Sequence, residues 1–289
     1  MKKTLAMMTA AMMVAGALAG CGSSSSTPAA TTAAATEAAT DAATTEAAGD
    51  TAEGTVKTPS GKFTVGFDQE FPPMGFVGDD GEFTGFDLDL AKEVASRLGL
   101  EFVPQPINWD AKDMELDSGN IDCIWNGFTM QGREDAYTWV GPYMANNQVF
   151  VVNADSDIAS KADLAGKAVE VQKDSSGLAA LQDDAELSAS FGSMTEVADY
   201  NTALMDLESG ACDAVCMDSI VAGYQIKSSG KDMKILDDTL SAEEYGIGFK
   251  KGEDELAKAV YDTLMAMKDD GTVAKISNDW FGSDVFTLK

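Results

Sequence analysis

Trp109-Asp110-Ala111-Lys112-Asp113-Met114-Glu115-Leu116-Asp117-Ser118-Gly119-Asn120-Ile121-Asp122-Cys123-Ile124 has a counterpart further along the chain. It is Tyr200-Asn201-Thr202-Ala203-Leu204-Met205-Asp206-Leu207-Glu208-Ser209-Gly210-Ala211-Cys212-Asp213-Ala214-Val215. An aromatic residue, Met, Leu, Ser, Gly and Asp recur in one ungapped register. Each copy reads as a helix carrying Met and Leu, closed by a glycine C-cap, with an aspartate leading into a short apolar strand. Two such units argue for an internally repeated α/β architecture.

Flanking segments alternate in the same way. Phe63 to Phe67 reads as a strand and Gly78-Asp79-Asp80-Gly81 as a turn. Asp87 to Leu98 reads as a helix, with Leu90, Ala91, Val94, Ala95 and Leu98 on one face and Gly99 as its stop. Val149 to Val152 and Ala168 to Val171 read as strands, separated by a short helix and turn at Asp163–Lys167. Ala211 to Met217 is expected to form another strand. Tyr245 to Phe249 follows the same pattern, and a helix is expected from about Glu253 to Lys268. Strands alternating with helices predict α/β layers with largely parallel sheets.

The remaining composition removes several chemistries. The 289-residue chain carries a net charge of −28, which argues against nucleic acid as a partner because phosphate binding needs a basic surface. Histidine is absent, which removes the commonest general base and the commonest metal ligand. No metal or other cofactor is expected. Cys123, Cys212 and Cys216 read as small buried hydrophobes. Cys212 and Cys216, on one strand, lie about 13 Å apart at ~3.3 Å per residue, beyond disulfide reach.

The N-terminal region carries a separate message. Lys2 and Lys3, an Ala-rich apolar run to Ala19, and Leu18-Ala19-Gly20-Cys21 describe a secretory leader over residues 1–20. The run is too short and too weakly hydrophobic for a convincing transmembrane helix. The arrangement around Cys21 resembles the bacterial lipobox, which implies a lipidated cysteine (the diacylglycerol and palmitate type of anchor) at the mature N-terminus. Residues 21–58 are almost entirely Ala, Thr, Ser, Gly and acid, and read as a disordered tether. The expected address is the extracellular face of a bacterial membrane.

Ligands of open α/β sheets bind beyond the carboxyl ends of strands. Here those ends carry Asp68 and Phe71; Asn126, Gly127, Thr129 and Arg133; Asp174, Ser175 and Ser176; and Asp218. As a set they complement a zwitterion. Arg133 clamps a carboxylate bidentately, Thr129 and the amides near Ser175 and Ser176 add donors, and Asp218 holds an ammonium. Phe71 and Trp109 supply apolar walls.

The run Gly85-Phe86-Asp87-Leu88-Asp89-Leu90, followed by Val94, Ala95 and Leu98, resembles the signature of the family 3 extracellular solute-binding proteins, the polar-amino-acid receptors of ABC importers. The likeness continues through Val65-Gly66-Phe67-Asp68, Phe71-Pro72-Pro73, Gly127-Phe128-Thr129, Arg133-Glu134, Gly141-Pro142-Tyr143 and Val171-Gln172-Lys173-Asp174-Ser175-Ser176. It implies a periplasmic-binding-protein-like α/β fold, with two lobes joined by a two-strand hinge and the ligand cleft between them. Lobe 1 is expected over residues 59–147 plus 247–289 and lobe 2 over 148–246, with crossings near Asn146–Val149 and Glu243–Gly246.

By position in the motif, Arg133 matches the family's carboxylate-binding arginine, Asp218 its ammonium-binding aspartate, and Phe71 and Trp109 the flanking aromatics. The stretch from Gly127 to Arg133 is one residue shorter than the common family spacing. Where relatives carry Gly-Thr-Thr or Gly-Ser-Thr, this chain has Asp174-Ser175-Ser176, whose added carboxylate is expected to contact the ligand or cap a helix. The implied protein is a monomer that binds a polar amino acid by hinge closure and delivers it to a permease powered by a cytoplasmic ATPase. A receptor that signals to a membrane partner is the alternative reading, and an enzyme on this fold is disfavoured by the missing histidine. Asp68, Glu70 and Asp174 leave basic, glutamine-like and cystine-like ligands all open.

Overall fold

Helix α1 (Phe86–Leu98) shows how the apolar spacing becomes packing. Phe86, Leu88, Leu90, Ala91, Val94 and Ala95 are all buried, and Gly99 closes the helix in the left-handed region at φ 69°. Burying each large apolar side chain contributes roughly 1.5–3 kcal/mol. The computed structural model describes Thr58 and residues 60–289. The leader read over residues 1–20, Cys21 and all but the end of the tether lie outside the described residues.

Ahead of α1 come β1 (Lys62–Phe67) and a small antiparallel sheet of β2 (Glu70–Phe71), β3 (Gly75–Val77) and β4 (Phe83–Thr84). After it come β5 (Glu101–Pro106), a 3-10 turn at Trp109–Ala111, α2 (Lys112–Asp117) and β6 (Cys123–Thr129). The long strand β7 (Tyr137–Asn153) leads to a second series. This comprises β8 (Ala168–Gln172), α3 (Ser176–Asp183), α4 (Ala185–Ser190), β9 (Ser193–Val197), α5 (Tyr200–Ser209), β10 (Ala214–Asp218) and α6 (Ser219–Ser229). A second long strand, β11 (Met233–Lys250), returns toward the first series, and α7 (Asp254–Asp269) and α8 (Thr272–Phe281) pack on α1.

The main sheet has the order β5-β1-β6-β11-β7-β10-β8-β9. Each outer half is parallel, whereas β7 and β11 pair antiparallel with each other and with the halves they adjoin. The expectation of largely parallel sheets therefore holds for the two halves and fails for the ribbon between them. Asn146 faces Glu243 in that ribbon, where the register slips at several points. The two halves of the sheet are thus joined through two long, irregularly paired strands.

Strands depart from the sequence reading at several points: β7 and β11 run well beyond the expected Val149–Val152 and Tyr245–Phe249, and two further departures have local causes. The strand expected at Ala211 begins only at Ala214, because Ala211 and Asp213 turn back to bond α5 and β8. Strand β5 carries Pro104 and Pro106, residues that weaken any strand signal, and it is tolerated because it lies at the sheet edge. Cys123, Cys212 and Cys216 are free and buried, as their reading as small hydrophobes requires.

Candidate functional site

Both repeat units anchor their aspartates in the same way. Asp122 accepts a bond from the Thr64 amide at 2.6 Å and donates its own amide to the Thr64 carbonyl at 2.8 Å. Asp213 does the same with Ala168, at 2.8 Å for both bonds. These clasps fix β6 beside β1 and β10 beside β8, so the carboxyl ends of all four strands converge on one interface. There a narrow cavity is lined by Phe71, Trp109, Gly127, Thr129, Arg133, Gln172, Ser175, Ser176 and Asp218.

Arg133 comes from the loop after β6. Its guanidinium donates to the carbonyls of Thr129 and Asp174, both at 3.3 Å, and lies over the Phe128 ring at 5.2 Å. The chain's other arginine, Arg97, is paired with Glu93 and Asp270. Arg133 pairs with no carboxylate among the described residues, so its charge stays available for an acid from outside. Ser175 caps α3 by accepting the Leu178 amide at 3.1 Å. The amides of Ser176 and Gly177 precede any intrahelical acceptor, and Ser176 lines the cavity at this positive end of the helix. Thr129 donates to Ser176 at 3.2 Å, joining the two halves.

Asp218 ends β10 and stands at the N-cap position of α6, yet its side chain makes no cap bond. It turns inward, accepting from Tyr245 at 2.7 Å, Asn146 at 2.7 Å and Tyr200 at 3.1 Å. Burial, then the charge of Glu243, pushes its carboxyl up to about 8. A buried acid ringed by neutral donors in this way is suited to a cationic partner.

Eight of the ten residues read as ligand-binding therefore line the cavity, and two stand behind its wall. Asp68, lifted to about 6 by burial, accepts the Gln172 side chain across the interface at 2.7 Å. Asn126 accepts the Asp68 amide at 3.0 Å. Gln172 itself lines the cavity and was missed by the sequence reading. Its position is the last residue of a buried strand, adjacent to the Asp174-Ser175-Ser176 run, and that was the available signal.

Asp174 is neither the helix cap nor part of the cavity wall, contrary to expectation. It pairs with Lys112, whose side chain is only 2 % exposed and lies over Trp109 at 5.3 Å. Lys173 reaches the other way to Asp110 at 2.7 Å. These crossed pairs sit where the two halves meet. Outside them a polar groove of about 840 Å³ runs past Asp68, Glu70, Trp109, Lys173 and Asp199. Asp87 supports the inner wall from behind. It accepts the Gly127 amide at 2.7 Å and the Tyr143 hydroxyl at 2.8 Å, and burial pushes it up to about 7.

A mixed sheet spanned by two antiparallel strands, with opposite charges presented at strand ends on either side of one cavity, defines a periplasmic amino-acid-binding fold. Residues 63–283 match the model of the bacterial extracellular solute-binding proteins, family 3, and the chain belongs to that family. It is 31% identical over 231 residues to the L-cystine-binding protein TcyJ of Escherichia coli, covering 78% of this chain and 84% of that protein. It is 32% identical over 229 residues to the L-cystine-binding protein TcyA of Bacillus subtilis, covering 78% and 83% respectively. Among solved structures it resembles an ABC uptake transporter substrate-binding protein of Streptococcus pneumoniae with bound histidine. The TM-score is 0.76 at 34% identity, over 79% of this chain and 95% of that one.

Proposed function

We propose that the chain is a receptor that captures a polar L-amino acid by closing its two halves over the cavity and delivers it to the permease of an ABC importer. The observation that carries this reading is the pairing of an uncompensated Arg133 from one half with a buried, cation-seeking Asp218 from the other. A free amino acid carries matching charges on its carboxylate and ammonium, and Phe71 and Trp109 flank its side chain. Contacts made only when both halves meet, such as Thr129 to Ser176, stabilise the closed form.

The working division is residues 59–147 plus 247–289 against 148–246, hinged at the Asn146–Glu243 pairing. Arg133, Thr129, Gly127, Phe71 and Trp109 then act from the first body, and Ser175, Ser176, Gln172 and Asp218 from the second. No reaction is assigned to the site: it binds and releases, and the protein works as a monomer. Lipid on Cys21 would hold it at the extracellular face of the membrane through the 21–58 tether. No helix among the described residues is long and apolar enough to cross a membrane. Intact mass of the processed protein tests the anchor, which fails if Cys21 carries no lipid.

Calorimetry against the twenty amino acids plus cystine and ornithine tests the function. Binding by one or a few polar members, lost in Arg133→Ala, is the expected result. Retained affinity in that variant overturns the site.

A further inference from the structure

Glu243 is a buried carboxylate that the capture mechanism leaves unused. It lies on β11 at the crossing, 5 % exposed, and accepts from Asn146 Nδ2 at 2.6 Å and Gln148 Nε2 at 3.0 Å. The same Asn146 Nδ2 donates to Asp218 at 2.7 Å. Two acids thus share one amide, in a network whose hydrogen-bonding members include no lysine or arginine. The remaining titratable neighbours of Asp218 are Tyr200 from α5, Tyr245 from β11 with Tyr143 behind it, and Cys216 on its own strand. All four are held neutral by burial. Arg133 stands across the cavity with its guanidinium engaged by the Thr129 and Asp174 carbonyls.

Burial, and a second acid one amide away, disfavour the charged form of Asp218 until a cation reaches it. Asp218 faces the cavity, while Glu243 lines a separate groove of about 470 Å³ with Thr129, Ser176 and Asp183. The pair therefore connects the enclosed cavity to a solvent-facing surface.

We propose that Glu243 helps to keep a proton on Asp218 in the unliganded protein, and that an ammonium arriving at Asp218 displaces this proton to solvent. The step balances: the carboxyl O–H bond breaks, its electron pair stays on the carboxylate facing the ammonium, and the proton leaves to water or buffer. Capture is then tied to pH, and Glu243 is a positioning residue that acts through Asp218. The inference rests on the proposed amino-acid site and adds a consequence which that site does not require.

The sign follows from linkage. Unliganded, Asp218 is raised by burial and by Glu243; liganded, the ammonium lowers it again. Binding therefore releases a proton between those limits, and affinity rises with pH until about 8, by at most about tenfold per pH unit.

The test is calorimetric titration of the whole protein with L-cystine, and with L-arginine if cystine does not bind. Titrations at pH 7 are run in phosphate and in Tris, whose ionisation heats differ. About one proton released per ligand is expected, falling to about half or less in Glu243→Gln, which keeps both amide bonds. Equal heats in the two buffers, or equal release by parent and variant, overturn the proposal. A ligand-free arm separates this from failure of the site itself. Removing the like charge should raise the Glu243→Gln melting temperature above the parent's at pH 8, with the gap closing toward pH 5. A lower melting temperature at pH 8 marks Glu243 as an ordinary structural acceptor and also overturns the proposal. If neither binds, the proton count is made with whichever amino acid of the wider panel does; if none of that panel binds, the amino-acid reading falls while this arm still decides the acid pair.

Discussion

The two halves of the sheet start from the same unit and end in opposite chemistry. In the unit of β1, α2 and β6, and again in that of β8, α5 and β10, an aspartate clasps the neighbouring strand with the same two bonds. Met114 and Met205 stand at matching positions and are 64 % and 63 % exposed. At matching strand ends, however, one unit has Gly127 and the other Asp218. Gly127 takes φ 55°, with Phe71 and Tyr245 so close that an added Cβ would collide at 2.9 to 3.1 Å. A bare backbone turns there and carries the chain on to Arg133. Asp218 instead puts a carboxylate into a ring of tyrosines. A duplicated scaffold thus carries a cation on one side and buried acids on the other, the contrast on which the proposed amino-acid site rests.

The strongest way to break this contrast is to remove the cationic side. Arg133→Ala should weaken amino-acid binding by at least ~100-fold, since a carboxylate left unpaired in an enclosed site costs about 3 kcal/mol. Calorimetry measures it directly. Asp218→Asn should weaken binding by about tenfold or more while raising ligand-free stability at pH 8, because the amide carries no charge to bury. Loss of stability in that variant would show that the acid is not strained.

The raised carboxyls predict an unusual pH profile for the ligand-free protein. Asp68, Asp87 and Asp218 sit at about 6, 7 and 8, all above the unfolded value of 3.8. Between 3.8 and those values the folded state holds protons that the unfolded chain has lost. Their contribution is full below the unfolded value and is lost as pH rises toward 8. Melting temperature should therefore fall from mildly acidic pH toward pH 8. A flat or rising profile would remove these groups from the account.

The shared scaffold gives a smaller and symmetric prediction. Asp122→Ala and Asp213→Ala should each cost about 1–2 kcal/mol in urea denaturation, the loss expected when a backbone amide loses a charged acceptor. Unequal losses would show that the repeat is similar in sequence but not in energetics. Smallest of all, Lys173→Met removes an exposed pair with Asp110 and should change ligand affinity by less than about twofold.

Much of this was legible along the chain. The apolar spacing of Leu90, Ala91, Val94, Ala95 and Leu98 and the Gly99 stop specified α1, because helical burial and a left-handed cap are local rules. Arg133, Asp218 and the serines of α3 stood out because strand ends in α/β sheets gather ligand groups. Gln172 and Glu243 did not stand out, since each depends on a partner far along the chain: Asp68 for one, Asn146 and Asp218 for the other. Edge strands β5 and β9 were likewise illegible, being proline-bearing in one case and largely exposed in the other.

By itself the sequence determined the repeated α/β unit, the acidic surface, the absence of histidine chemistry and the residue types at the strand ends, because each is set by composition or by short-range periodicity. Only the tertiary structure decided which groups face the cavity and which stand behind it. It turned the Asp218 side chain away from the helix end it precedes and into a ring of buried donors, matched Asp174 to a buried Lys112, and brought Glu243 beside Asp218 on a single amide. The physical reason is that charge is priced by its surroundings: a carboxylate's role follows from burial and neighbours that only the folded chain assembles.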